Sequence, residues 1–556
     1  MLERLTGRLK ARLERAAMFA RVLRQTKAVQ LVPPTRLAPF LRAARQTKLG
    51  PHVAVMYHAA AHPDKEALVE YRVDGSVRRM TWGELDATIN RVAHALSQRG
   101  VHGGGRVALM LPNGAEFLIA QQALARLGAT AVQIGYRLKA GEIAYILENA
   151  RPIATVLHGD FIAQVREARA QAKQTDPMIV VDGNRDDGDD WDRALAAGSP
   201  EMPPRVTTGD GGGVIVYTSG TTGKPKGAQR AWNKTGFESV ADMIYQVGMT
   251  ANDRHLVTCP LYHSAAPAFV AIMSALGATV VLQNHFDPEA CLQIIARERI
   301  TCTLMVPTMF IRLCSLPPET LAKYDTSSLR WVMSGAAPLT TEAARRFMAQ
   351  FGPILWNFYG STETGLVTLA GPGDHLARPG TIGKKMRGNQ IRLLDDRGHD
   401  VPVGQVGELY ARNSTLISGY HGNEQATNEA QRDGFFSVGD VARVDADGYY
   451  YLESRKHDMV ISGGVNIYPR EIEDHLSTHP AILEAAVIGV PDAEWGETLR
   501  AFVVLRPGEQ VSEVDVIDYC RRELADFKRP RKVTFLAELP RNPTGKILKR
   551  ELRELA

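Results

Sequence analysis

Tyr217-Thr-Ser-Gly-Thr-Thr-Gly-Lys-Pro-Lys-Gly-Ala228 is the stretch on which the reading of this chain turns. It directly follows Gly213-Val-Ile-Val216, an apolar run that reads as a short buried strand. Gly220, Gly223 and Gly227 let the backbone turn sharply and come close to a ligand. Between them Thr218, Ser219, Thr221 and Thr222 supply hydroxyls, and Lys224 and Lys226 supply positive charge. Amides, hydroxyls and ammonium groups around a Gly-rich turn suit a polyphosphate. The pattern is not the Walker loop, because Pro225 follows Gly223-Lys224 and Thr218 stands where the first Gly is required. Taken alone, such a loop could also be an ordinary flexible linker.

Other segments remove that ambiguity. Working outward, Leu256-Val-Thr-Cys-Pro-Leu-Tyr-His263, Ser334-Gly-Ala-Ala-Pro338 and Asn357-Phe-Tyr-Gly-Ser-Thr-Glu-Thr364 follow in order. After them come Gly407-Glu408-Leu409, Gly434-Phe-Phe-Ser-Val-Gly-Asp440 and Ser454-Arg455-Lys456-His457-Asp458. Ser462-Gly-Gly-Val-Asn-Ile-Tyr-Pro469 and Pro543-Thr-Gly-Lys-Ile547 complete the series. In this order the segments resemble the signatures of adenylate-forming enzymes, the superfamily of acyl-CoA synthetases, luciferase and peptide-synthetase adenylation domains. The resemblance spans roughly residues 51–552.

Composition agrees with a globular enzyme. Of 556 residues, 44% are hydrophobic and 23% charged, and the length implies several domain-sized units. Five scattered cysteines form no CxxC pair, which fits a reducing, cytoplasmic setting with free thiols. No zinc-type cluster is present, so the metal to expect is one carried with a nucleotide. Nothing in the pattern calls for a nucleic-acid partner. A homodimer is left open.

Charge is uneven. Residues 1–48 hold twelve Lys/Arg against Glu3 and Glu14. Leu2, Leu5, Leu9, Leu13, Ala16, Ala20 and Leu23 recur there at helical spacing, with arginines between them. Such a basic amphipathic helix can lie in a membrane interface, giving peripheral membrane contact through residues 1–48. Two other readings stand beside it: a helix docked on its own catalytic domain, and an organelle transit peptide. Residues 255–286 carry no Asp, Glu, Lys or Arg, yet Pro260, His263, Pro267 and Gly277 interrupt them. They read as strand, helix and strand, with no membrane span.

Strand–helix alternation from about 51 to 455 argues for an α/β fold: a large N-terminal domain of mainly parallel sheets covered by helices. Examples are Arg106–Leu111, a helix through Ala115–Leu127, and Ala129–Val132. Residues 182–210, rich in Asp, Gly and Pro, read as a surface loop. From 456 to 556 the pattern becomes a small, mobile α+β C-terminal domain, with a helix at Pro469–Ser477 and a hinge near 454–458. Residues 1–50 form a basic amphipathic extension.

The resemblance implies ATP, Mg2+ and CoA as co-substrates and activating ion, with no tightly bound cofactor. A carboxylate attacks the α-phosphorus of ATP; a thiol then attacks the acyl-adenylate and releases AMP. By resemblance Lys546 bridges carboxylate and α-phosphate, Thr362 donates to that phosphate, and Glu363 is the magnesium ligand. The loop residues Thr218, Ser219, Gly220, Thr221, Thr222, Gly223 and Lys226 hold phosphates. Tyr359 stacks on adenine, and Asn357, Gly335, Ala336 and Ala337 read its edge. Gly360 and Ser361 complete that segment, Asp440 accepts from the ribose hydroxyls, and Arg455 holds ribose or phosphate. Ser462, Gly463 and Gly464 line a CoA channel once the small domain has swung. His457 stands at the pivot, where relatives usually have Asp or Lys.

An α-amino acid is not expected, because His263 occupies the position where peptide-synthetase domains carry an Asp. The chain runs only ten residues past Lys546, and no carrier domain is expected there. His263 reads as a wall or gate of the acyl pocket, and Ala265, Ala266, Ala268 and Ala271 leave room for an apolar tail. A medium- or long-chain fatty acid is the resulting expectation. An aryl or bile-type acid, an acyl-AMP ligase serving a separate carrier protein, and a non-catalytic acyl or nucleotide sensor are the alternatives.

Overall fold

The computed structural model describes residues 17–28, 32–47, 50–183, 189–203, 212–218, 225–233, 236–542 and 545–556. Most of the Gly-rich loop (Ser219 to Lys224) and Pro543 and Thr544 lie outside the described residues, as does the amphipathic pattern before residue 17.

Among the described residues there are three sheets. In one, Arg106–Met110 lies between Thr130–Gln133 and Ala154–His158, all parallel. Thr130–Gln133 pairs in parallel with Gly213–Thr218, whose other neighbour, Lys226–Ala231, is antiparallel. The Gly-rich loop thus joins two adjacent strands, and its residues at both ends are fixed by that pairing. The second sheet has a parallel centre built of Thr279–Gln283, Arg254–Val257, Cys302–Met305, Trp331–Ser334 and Leu355–Ser361. Most residues of these central strands are buried, and their apolar stretches are short.

From Leu355–Ser361 the second sheet continues as an antiparallel series through Gly365–Ala370, Thr381–Lys385, Tyr449–Arg455 and Phe435–Val444. Hairpin connections make this part, which strand–helix alternation does not announce. Pro469–Ser477 and Glu513–Glu523 pack on the third, smaller sheet, whose long ribbon pairs Ile482–Asp492 with Gly496–Leu505. Its core includes Ile472, Leu476, Val487, Val503 and Cys520.

One expectation changes, and of the readings open for the N-terminal extension, the docked helix is seen over residues 17–26. Residues 182–210 are not loop throughout: Trp191–Ala197 is a helix, capped by the Asp190 carboxylate accepting from the Arg193 amide at 2.8 Å. Trp191 and Ala194 bury its inner face, an anchor hidden among Asp and Gly residues. In the N-terminal extension, residues 17–26 form a helix that packs on the large domain. Met18 and Val22 are buried, and the Gln25 amide donates to the Ile244 carbonyl at 3.1 Å. The next helix, Pro34–Arg45, has no buried residue. Among the described residues no helix is long and apolar enough to cross a membrane.

Candidate active site

The strand Leu355–Ser361 carries Asn357 and Tyr359 two residues apart, so both side chains emerge on one face. The Tyr359 hydroxyl donates to Asp440 Oδ2 at 2.8 Å. Asp440 and Arg455 are register partners on adjacent antiparallel strands, and Arg455 Nε lies 3.3 Å from Asp440 Oδ1. Burial and the Asp440 carboxylate push the Tyr359 phenol well up, so it stays a donor at neutral pH. Gly360 is required sterically: a Cβ there would sit 1.9 Å from the Gly365 carbonyl oxygen. Ala336, at φ +67°, and Ala337 face the same space from the turn after Trp331–Ser334.

Beyond Gly360 the chain folds into a tight turn. Ser361 Oγ accepts from the amides of Glu363 at 3.1 Å and Thr364 at 3.0 Å. That turn presents Thr362 and Glu363 to the cavity. Thr362 Oγ1 lies 2.9 Å from Ser264 Oγ, and the Thr362 carbonyl accepts from Arg230 Nη2 at 2.6 Å. Glu363 Oε1 accepts from the Tyr420 hydroxyl at 3.1 Å and from Thr218 Oγ1 at 3.4 Å. Lys226 Nζ sits 5.2 Å from the centre of the Tyr420 ring. Burial lowers the Arg230 guanidinium's affinity for its proton, and the Glu363 charge opposes this.

Lys546 enters from the small domain. Gly545, at φ +79°, lies so close to the large domain that a Cβ would meet Thr308 Oγ1 at 2.7 Å. The Lys546 amide donates to Asn542 Oδ1 at 2.9 Å, and its side chain lines the cavity shared by Glu363, Asp440 and Arg455. Burial, with Arg455 adding to it, brings the Lys546 ammonium down to about 8, against the pull of Asp440, Asp458 and Glu363. The segment expected to act as the hinge forms a single 3-10 turn, Lys456–Asp458. Lys456 Nζ pairs with Glu408 at 3.2 Å, and Asp458 with Arg553 at 2.9 Å. His457 Nε2 is 3.6 Å from Asp458 Oδ2; burial and the cations Arg455, Arg553 and Lys546 lower it against that carboxylate.

Ser462, Gly463 and Gly464 are not brought to this cavity. They form the turn between Val460–Ser462 and Val465–Ile467; both glycines are exposed at positive φ, and the Gly463 amide donates to the Trp495 carbonyl at 2.8 Å.

The cavity, about 1420 Å³, runs from these groups along the helix Ala265–Leu276, where Ala265, Ala268, Ala271, Ile272 and Ala275 line it. It reaches Gly50, Pro51 and Ala54. His263 lies in its wall, and burial, with Arg137, takes its imidazole down to about 3. It is therefore neutral at physiological pH and suits a wall better than an acid or base.

Residues 55–421 match the family model described as AMP-binding enzyme, and residues 471–546 match AMP-binding enzyme C-terminal domain. The chain belongs to the AMP-binding enzyme family. Feruloyl-CoA synthase of an Amycolatopsis species is 33% identical over 92% of the chain and 97% of its own length. Long-chain-fatty-acid–CoA ligase FadD13 of Mycobacterium tuberculosis is 34% identical over 89% and 96%. The crystal structure of the anthranilate CoA ligase AuaEII in complex with anthranoyl-AMP superposes with TM-score 0.85 at 28% identity, covering 91% of this chain and 97% of that one. As an AMP-binding enzyme of this kind the protein is an acid–thiol ligase, with ATP and CoA as co-substrates.

Several contacts of this AMP-binding enzyme were not signalled by the motifs. Ser264, Arg230 and Tyr420 brace Thr362 and Glu363 from 98, 132 and 57 residues away respectively. Ser264 adjoins His263 and Arg230 lies just past Ala228, whereas Tyr420 has no motif beside it. Among the described residues no group of three or more His, Cys, Asp or Glu could hold a metal. Glu363 offers a single buried carboxylate among hydroxyls, a donor set that fits a hard cation arriving on phosphate oxygens and not one held by protein alone.

Proposed function

We propose that the enzyme ligates a medium- or long-chain fatty acid to CoA through an acyl-adenylate, releasing pyrophosphate and then AMP. One observation carries this reading: the cavity holding Lys546, Glu363, Asp440 and Arg455 continues without interruption along the small, apolar face of Ala265–Leu276. A ring-bearing acid is the second reading, favoured by the 28%-identical structure with anthranoyl-AMP.

In the first half-reaction a carboxylate oxygen bonds to the α-phosphorus as the bond to pyrophosphate breaks. Negative charge gathers on phosphate oxygens, and preorganised cations and donors stabilise it. Lys546 would contribute its ammonium there, and Thr362, held by Ser264 and Arg230, its hydroxyl. Asp440 would accept from ribose hydroxyls, with Arg455 and Tyr359 fixing its carboxylate. Tyr359 and Asn357 would frame the adenine with Ala336 and Ala337, while Thr218 and Lys226 would flank the phosphates. Glu363 would hold Mg2+, which supplies charge neutralisation to those phosphates when bound. In the second half-reaction the thiol sulfur bonds to the acyl carbon as the bond to AMP breaks. For that step residues 456–556 would turn about 454–458, withdrawing Lys546 and bringing Ser462–Gly464 to the channel.

The test is AMP release by the purified protein with ATP, magnesium and acids from acetate through palmitate and oleate to benzoate, cinnamate and cholate, each with and without CoA. AMP release that needs CoA and peaks at a C10–C18 acid is the expected result. A peak at a ring acid selects the second reading, and acyl-AMP formation indifferent to CoA points to a carrier protein as acceptor.

A further inference from the structure

The acyl end of the cavity is not wholly apolar. Gln133 closes the strand Thr130–Gln133, in register with Val216 of Gly213–Thr218. It is only 2% exposed, and neither its amide nitrogen nor its amide oxygen has a hydrogen-bond partner. Gln122, 8% exposed on the neighbouring helix Ala115–Arg126, leaves its Oε1 without a partner as well. The buried Tyr262 hydroxyl is unpartnered too. All three line the same cavity, with Val214 and Val216 beside them.

Buried polar atoms in folded proteins are overwhelmingly paired, and the exceptions ask for an explanation. Here the unpaired atoms come from three separate segments and line one cavity. No hydrogen bond within the protein accounts for a glutamine at position 133, and leucine or methionine would fill a similar volume. A plain hydrocarbon chain would leave every one of these atoms unsatisfied.

We infer that Gln133 and Gln122 form a polar subsite in the acyl pocket, which selects an acid carrying a hydroxyl or carbonyl oxygen on its otherwise apolar body. A primary amide both donates and accepts, so either oxygen function is served. The inference rests on the ligase reading above and narrows its substrate from an apolar acid to an oxygenated one, with a chain or a ring as its skeleton. A pocket built to hydrogen-bond a substrate oxygen discriminates strongly against the analogue lacking it, because its own groups are then left unpaired.

The experiment compares kcat/KM for CoA-dependent AMP release with dodecanoate, with the mono-oxo and monohydroxy dodecanoates scanned along the chain, and with cinnamate against 4-hydroxycinnamate. In the wild-type enzyme at least one oxygenated acid should exceed its parent by tenfold or more. Gln133→Leu and, separately, Gln122→Leu should reduce that ratio towards one, chiefly through KM. Ratios within one variant cancel any loss of folded protein; if a variant yields no active enzyme, the wild-type ratio decides alone. Turnover of the parent acids as fast as of every oxygenated partner, or ratios unmoved in both variants, overturns the subsite and leaves the ligase reading intact. Absence of AMP release with every acid overturns the ligase reading itself.

Discussion

Lys546 is a charge kept where water does little for it. Its ammonium loses its proton near pH 8 in the closed arrangement, against an ordinary 10.5, mainly through burial. The charged form is the one that can meet a phosphate, so adenylation kcat/KM should fall as pH rises through about 8, with unit slope in a pH–rate profile. The folded-state value lies below the unfolded one, so the ammonium weakens the closed fold below pH 8, and the penalty fades as pH climbs towards 10.5. That difference corresponds to about 3 kcal/mol at most, since opening of the small domain relieves it. Lys546→Met should therefore melt higher than wild type at pH 7 and no higher at pH 10.5. Lys546→Ala should lower adenylation by roughly a hundred- to a thousandfold, comparable to loss of an oxyanion donor. Thioester formation from supplied acyl-adenylate should survive; equal loss of both half-reactions would refute domain alternation.

At the scale of elements, the turn 361–364 and the hairpin around Gly463 are built differently. The first is held from outside by Ser264, Arg230, Tyr420 and Thr218, with Arg230 its hidden brace. Arg230→Met should release Thr362 and reduce adenylation about tenfold or more, with little change in KM for CoA. The hairpin is exposed, with Gly464 at φ +80°. Gly464→Val strains that turn; it should slow CoA thioester formation while pyrophosphate release in a single turnover stays near wild type. The contrast also explains what the sequence discloses. Asn357, Tyr359, Thr362, Glu363 and Asp440 sit on contiguous motifs whose local geometry is written in neighbouring residues. Arg230, Tyr420 and Gln133 act through pairings that only the assembled sheets create. The helix at Trp191 and the antiparallel run beyond Gly365 are hidden for a related reason: short elements held by distant partners carry little periodicity of their own.

Across the whole molecule, the described N-terminal residues divide into two parts. Residues 17–26 pack on the large domain; Pro34–Arg45, which sets Phe40 against Tyr57, turns Leu37 and Leu41 outward beside Arg36, Arg42 and Arg45. This second helix has the charge and apolar surface for anionic lipid. Replacing its three arginines with glutamate should abolish sedimentation with phosphatidylglycerol vesicles at low salt and leave turnover of soluble acids unchanged. Sedimentation equal to wild type would assign the helix to some other contact.

Under the domain alternation proposed above, the buried ammonium would also act as a clock. Closure would place a cation beside Arg455, where Asp440, Asp458 and Glu363 only partly offset burial, and a polyanionic nucleotide would be the counter-ion that holds it shut. Once pyrophosphate departs, most of that counter-ion would be gone while the acyl-adenylate remains. The latch would then loosen as the thiol needs entry, so that the chemistry of one half-reaction would time the next.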